Sequence, residues 1–118
     1  MKSTTLDPSP HLPLRPAAFA VLAALANRPL HGIDVLDEVN ATVTGGKLLG
    51  PGTLYRLMRE LRQVGFIARA ESDDEPGRDE RKTLHLLTPL GRAVLRAEVG
   101  RLQRTIKLAR AVIAVGDR

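Results

Sequence analysis

Three arginines stand out for their spacing. Arg56, Arg59 and Arg62 follow Tyr55 in a segment that runs from Pro51 to Gly65. In a helix, Tyr55, Arg59 and Arg62 fall at i, i+4 and i+7 and share a face, and Arg56 lies beside them. Gly52 and Thr53 begin the same edge. A guanidinium reaches a phosphate as a charged donor, and the O6/N7 edge of guanine as a two-pronged one. The hydroxyls of Thr53 and Tyr55, and the free backbone N–H groups of a first helical turn, are further phosphate donors. That is the chemistry of gripping a polyanion rather than of making or breaking bonds. The plainer reading of such a face is solvation, and the surrounding layout must decide between the two.

A second basic group, Arg78, Arg81 and Lys82, sits among Glu71, Asp73, Asp74, Glu75, Asp79 and Glu80. The cations attract phosphate and the acids repel it. Either the cations touch a nucleic-acid backbone while the acids face solvent, or this segment contributes little.

Enzymatic patterns are weak. Gly45-Gly46-Lys47-Leu48-Leu49-Gly50 has the glycines of a phosphate loop, but Pro51 stands where lysine should follow the last glycine. His11, His31 and His85 lie on different elements without ligand spacing and read as surface or structural groups, with His31 shaping the start of a helix. No catalytic residue, metal ligand or cofactor is expected.

The elements that must position the arginines follow from periodicity. With 118 residues the chain holds one core. Its net charge of +5 is unevenly spread: residues 51–69 carry +3, residues 70–87 carry −3 and residues 88–118 carry +5. A localised basic face suits a polyanion binder. There is no cysteine, so disulfides and thiolate metal sites are excluded. The longest apolar stretch, Ala17 to Ala26, falls short of the ~18 residues of a membrane span. The early residues lack a signal-peptide pattern, and a cytoplasmic location is the expectation.

Residues 1–15, with Pro8, Pro10 and Pro13, read as a flexible arm. Pro16 suits the first turn of a helix through Ala17–Asn27 that is apolar nearly all round. A second helix is predicted from about His31 to Val43, with Ile33, Leu36, Val39 and Val43 inward. The third begins at Pro51, buries Leu54, Leu57, Met58, Leu61 and Val64, and ends at Gly65. Phe66–Glu71 and Lys82–Leu87 are predicted to pair as a hairpin. Thr88-Pro89 then opens a long helix to about Val115, in which Leu95, Val99, Leu102, Ile106, Ala109 and Ile113 are spaced 4, 3, 4, 3 and 4. That is a heptad seam with β-branched residues at one position, a choice that favours two strands. A seam ~27 Å long at 1.5 Å per residue is more than three short helices and a small hairpin can cover, so a second copy is the expected partner.

Three helices, a hairpin and a long helix form the layout of a winged helix-turn-helix, whose third helix enters the DNA major groove. The chain resembles the PadR family of transcription regulators. The resemblance rests on Pro29-Leu30-His31-Gly32, on Gly50-Pro51-Gly52-Thr53-Leu54-Tyr55-Arg56-Leu57-Met58-Arg59-Glu60-Leu61, on Val64-Gly65-Phe66-Ile67, on Arg81-Lys82, and on Leu86-Leu87-Thr88-Pro89-Leu90-Gly91-Arg92. It implies a dimeric repressor whose wing touches DNA and whose last helix makes the dimer, with Tyr55 and its neighbours on the third helix as DNA contacts. Two positions depart from the family pattern. Thr83, Leu84 and His85 replace aromatics in the returning strand, and Ile33 replaces an aromatic after His31-Gly32.

The expected fold class is mainly α with a small β-hairpin wing (α+β). The arm spans 1–15, the DNA-binding domain 16–87 and the dimerisation helix 88–115. The expected function is binding of double-stranded DNA at a palindromic operator by a homodimer, through Gly52, Thr53, Tyr55, Arg56, Arg59, Arg62, Arg78, Arg81 and Lys82. The alternative is a winged-helix interaction module that docks an acidic protein. An effector is left unnamed. With Phe19, Tyr55 and Phe66 as the whole aromatic complement, an aromatic-walled ligand pocket is not expected.

Overall fold

The computed structural model of the protein describes residues 6–46, 48–70 and 79–116. Four helices, α1 (Pro16–Ala24), α2 (Gly32–Asn40), α3 (Pro51–Gln63) and α4 (Pro89–Gly116), combine with three short strands, β1 (Leu30–His31), β2 (Ile67–Arg69) and β3 (Leu84–Leu87). The sheet is antiparallel with order β1-β3-β2. The architecture is the expected mainly α chain with a small β wing. The strand β1 was not foreseen, because two residues are too few to show a period.

The core is aliphatic. Ala18, Ala20, Val21 and Leu22 of α1 are buried, and this helix packs on α2, α3 and α4. The small alanines let the neighbouring helices approach. On α2 the buried residues are Gly32, Val35 and Val39, whereas Ile33 points to solvent. The predicted stripe was therefore turned by part of the helix circumference. Val39 belongs to both candidate stripes, and packing against α1 selects the one containing Val35.

The start of α2 is capped by tertiary structure. The backbone N–H groups of Gly32 and Ile33 donate to the carbonyls of Thr83 and Arg81 at 3.2 and 3.0 Å. These donors would otherwise be orphaned at a helix start. His31 makes no side-chain cap, so its expected shaping role falls to its backbone in β1. Gly32 is required here: an added Cβ would lie 2.1 Å from the Glu80 carbonyl oxygen.

Between α2 and α3 the chain is held by one amide. The Asn40 side-chain oxygen accepts the N–H groups of Leu48 and Leu49 at 2.8 and 3.0 Å, and its NH2 donates to the Leu49 carbonyl at 3.1 Å. This fixes where α3 begins. Pro51 occupies its first turn. At the other end Gly65 takes φ +86°, Phe66 N–H donates to Leu61 carbonyl and Gly65 N–H to Arg62 carbonyl at 2.9 and 3.1 Å. That pair of bonds is the Schellman closure that a terminal glycine permits.

The N-terminal segment differs from the expected arm. Within the described residues, Ser9–His11 form a short 3-10 turn. The His11 ring meets the Phe66 ring edge-on at 4.9 Å, Leu12 and Leu14 pack on the core, and Leu14 N–H donates to the Glu98 carboxylate at 2.9 Å.

The long helix starts as predicted. The Thr88 hydroxyl oxygen accepts Gly91 N–H at 3.0 Å, an N-cap bond, and lies 3.0 Å from the Phe66 carbonyl oxygen. A Cβ on Gly91 would come 2.0 Å from that same carbonyl oxygen. Val94, Leu95 and Glu98 are buried against the domain, while Gln103 to Ala114 are exposed throughout. Leu95 is only 8% exposed. It is a core residue of its own chain and leaves the proposed seam, because the first half of α4 packs into the domain core.

Candidate nucleic-acid interface

The third helix separates its faces cleanly. Leu54, Leu57, Met58 and Leu61 are buried, and Gly52, Thr53, Arg56 and Arg59 are exposed. Among the described residues, neither Arg56 nor Arg59 forms an ion pair with the chain's own acids. Nothing lies within 4 Å of a Cβ built on Gly52, so the first turn is open to an approaching backbone. The N–H groups of Gly52 and Thr53 there precede the first intrahelical bond, which Leu54 N–H makes to Gly50. A phosphate suits such donors.

Tyr55 does not belong to this face. It is 9% exposed, and among the described residues its hydroxyl has no hydrogen-bond partner. Burial pushes its phenol pKa up, opposed by the Arg81 charge. Tyr55 lies at the margin of the apolar arc, and the neighbouring elements cover it. The expectation of an outward Tyr55 is corrected on that ground.

Arg62 is the second correction. Its Nη2 and Nη1 donate to the two carboxylate oxygens of Glu80 at 2.7 and 3.2 Å. The Arg69 Nη2 stands 3.8 Å from the same carboxylate. Arg62 is thus turned along the molecule toward the root of the wing, away from the face that carries Arg56 and Arg59. Glu80 was read from sequence as a phosphate-repelling acid of the wing, and its inward pairing was missed. Its partner lies 18 positions away, and no local spacing signals such a pair.

At the wing root, Arg81 folds back on Asp79, with Nε and Nη2 donating to one carboxylate oxygen at 3.1 and 3.0 Å. The Asp79 carboxylate also accepts Arg81 N–H at 3.0 Å, and these contacts hold its pKa below the usual range. The Arg81 charge is partly cancelled in place. Lys82 is exposed and, among the described residues, makes no ion pair. Arg78 and the acids Glu71, Asp73, Asp74 and Glu75 lie outside the described residues. The site therefore brings together Gly52, Thr53, Arg56 and Arg59, with Lys82 and a half-neutralised Arg81 on a separate element.

The returning strand carries a polar core. Thr83 and His85 are buried while Leu84 and Leu86 are half-buried. The Thr83 hydroxyl donates to the Asp79 carbonyl at 3.0 Å, and His85 Nε2 sits 3.2 Å from the Glu80 carbonyl oxygen. Burial holds the His85 pKa below its ordinary value. These residues fix the turn that presents Asp79 to Lys82.

A second surface lies on α4. Ile106, Leu108, Val112 and Ile113 are exposed. Leu102 is half-buried and Val99 and Ala109 are exposed, so of the six seam positions only Leu95 is withdrawn. Beside Leu102 an apolar cavity of about 380 Å³ opens between α1, the α2–α3 loop and α4, with Phe19 as its aromatic lining residue. Among the described residues, no group of three potential metal ligands is assembled and no helix is long and apolar enough to cross a membrane.

Comparison with known proteins places these features. A family model described as the transcriptional regulator PadR-like family matches residues 21–97. No curated protein matches the chain. Among solved structures, the chain is similar to a transcriptional regulator from Thermoplasma acidophilum, at 26% identity over 83% of this chain and 90% of that one, with a TM-score of 0.62. A PadR family regulator from Clostridium difficile shares the fold at 15% identity over 82% of this chain and 97% of that one, with a TM-score of 0.67. Bacillus subtilis PadR in complex with operator DNA also shares it, at 22% identity over 74% of this chain and 48% of that one, with a TM-score of 0.59.

Proposed function

The chain belongs to the PadR-like family of transcriptional regulators, and on that premise we propose that it is a homodimeric repressor that binds a palindromic duplex through α3. The observation that carries the reading is the pair Arg56 and Arg59, exposed on one face of α3 and, among the described residues, without an acid to occupy them. Gly52 and Thr53 supply backbone and hydroxyl donors to phosphate at the helix start. Lys82, and Arg81 once released from Asp79, reach the flanking backbone. A similar fold in the Bacillus subtilis regulator is seen on operator DNA, which supports the same use here. The same reading puts the protein's workplace in the cytoplasm, beside the DNA it regulates.

Dimerisation is supported by the far half of α4. Ile106 and Ile113, seven residues apart, share one face of α4 and are both exposed, and burying that face removes apolar area from water at about 25 cal/mol per Å². Two α3 helices then enter successive major grooves ~34 Å apart.

Selection of bound sites from random duplexes, followed by fluorescence anisotropy across a salt series, tests the proposal. The expected result is a palindromic consensus, with affinity falling steeply as salt rises. Affinity independent of salt, or equal for all duplexes, would overturn it.

A further inference from the structure

We propose that Glu80 is a positioning residue that keeps Arg62 off the DNA and thereby sharpens discrimination between operator and random duplex. The inference rests on the DNA-binding reading above and assigns a role to residues that the reading does not use.

The geometry is a junction of four elements. The Glu80 side chain is 10% exposed and accepts both terminal nitrogens of Arg62, from the last turn of α3. Such a two-pronged charged pair has fixed geometry as well as strength. Arg69 of β2 stands 3.8 Å from the same carboxylate. His85 of β3 places Nε2 3.8 Å from the carboxylate and 3.2 Å from the Glu80 carbonyl. On the remaining side the Glu80 backbone touches the start of α2, where only glycine fits at position 32. The backbone of Glu80 is thus met from two sides, and its carboxylate takes Arg62 with both oxygens.

The consequence is electrostatic. One carboxylate faces two guanidiniums and a buried imidazole, so Arg62 has its charge answered inside the molecule. A third free arginine on α3, next to Arg56 and Arg59, would grip phosphate of any sequence, and contacts of that kind strengthen binding without informing it. Removing the Glu80 charge releases Arg62 to swing onto a backbone phosphate.

The test compares wild-type full-length protein with Glu80→Gln, Arg62→Gln and the double variant, each checked for folding by circular dichroism. Binding to the selected operator and to random duplex is measured over a salt series. Glu80→Gln should steepen the salt slope on random duplex by ~0.9, one phosphate's worth, and reduce the operator-to-random ratio. Arg62→Gln alone should leave the slope at the wild-type value, and the double variant should restore it. A merely structural role lowers both affinities together and moves neither slope nor ratio. The proposal is overturned by a folded Glu80→Gln with wild-type slope and ratio, or by an Arg62→Gln slope shallower by ~0.9. Should Glu80→Gln fail to fold, the Arg62→Gln slope decides alone. A wild-type protein that binds no duplex removes the underlying DNA reading as well, whereas wild-type binding with unchanged variants removes only the role of Glu80.

Discussion

The Glu98 carboxylate accepts the backbone N–H of Leu14 at 2.9 Å, joining residues 84 positions apart. Arg101 closes the other side, its Nη2 2.9 Å from the same oxygen. The N-terminal segment is therefore laid on α4 by a buried charge. Arg101 holds the Glu98 pKa below its usual value against the opposing effect of burial. A depressed carboxylate stabilises the fold above its unfolded value, and that contribution is lost as pH falls through the folded one. Glu98→Gln is expected to cost about 1–3 kcal/mol and to expose the segment before Pro16 to protease. An unchanged melting temperature with unchanged cleavage would remove this anchor.

Gly91 allows α4 to meet the Phe66 carbonyl, where a Cβ would intrude to 2.0 Å. Gly91→Ala is expected to destabilise despite the better helix propensity of alanine, by about 1–3 kcal/mol. Thermal melting measures it, and a neutral or stabilising result would show that the joint yields.

His85 is expected to make the fold acid-sensitive. Burial is the main cause of its lowered pKa, with Arg62 and Arg69 adding to it and Glu80 opposing. The unfolded chain binds a proton near 6.5, and the folded chain binds it less readily. Stability is thus fully present above that value and declines as pH falls below it. The melting temperature should drop between about pH 7 and about pH 5, the range of histidine titration. His85→Gln should flatten that part of the profile, and a parallel profile for the variant would count against His85 as its source.

Arg59→Ala is expected to reduce the salt slope of duplex binding by ~0.9 while sedimentation stays that of the wild type. Full affinity in this variant would take Arg59 out of the interface.

Ile106→Asp puts a charge on a residue that is 48% exposed in its own chain. Sedimentation should report monomers, and circular dichroism a folded domain. A dimer that survives the change would place the contact elsewhere.

Helix ends with local chemical causes were legible. Gly65 closes α3 and Thr88-Pro89 opens α4 as predicted, because each depends on residues within one turn. The outward placement of Arg56 and Arg59 was legible for the same reason, since the apolar arc of α3 is set by its own sequence. Tyr55 and Ile33 were misplaced because each lies at the edge of an arc, and only the packing of other helices decides an edge. The α4 seam was read from spacing alone, which cannot show that Leu95 is already buried in its own chain's core. The pairing of Glu80 and the loop-holding amide of Asn40 were not recognised, since their partners lie 18 and eight to nine positions away and no local spacing signals them. His85 was read as a surface or structural group, which did not show how deeply packing buries it.

Phe66 serves the end of one helix with its N–H, which donates to Leu61, and the start of another with its carbonyl, which accepts from Thr88. It follows directly on the Gly65 closure of α3, and it touches Thr88 and the bare backbone of Gly91 at the head of α4. Phe66 thus joins the end of α3 to the start of α4 through direct backbone contacts. On the proposed homodimer reading, the angle at which two α4 helices cross would then set the distance between two α3 helices.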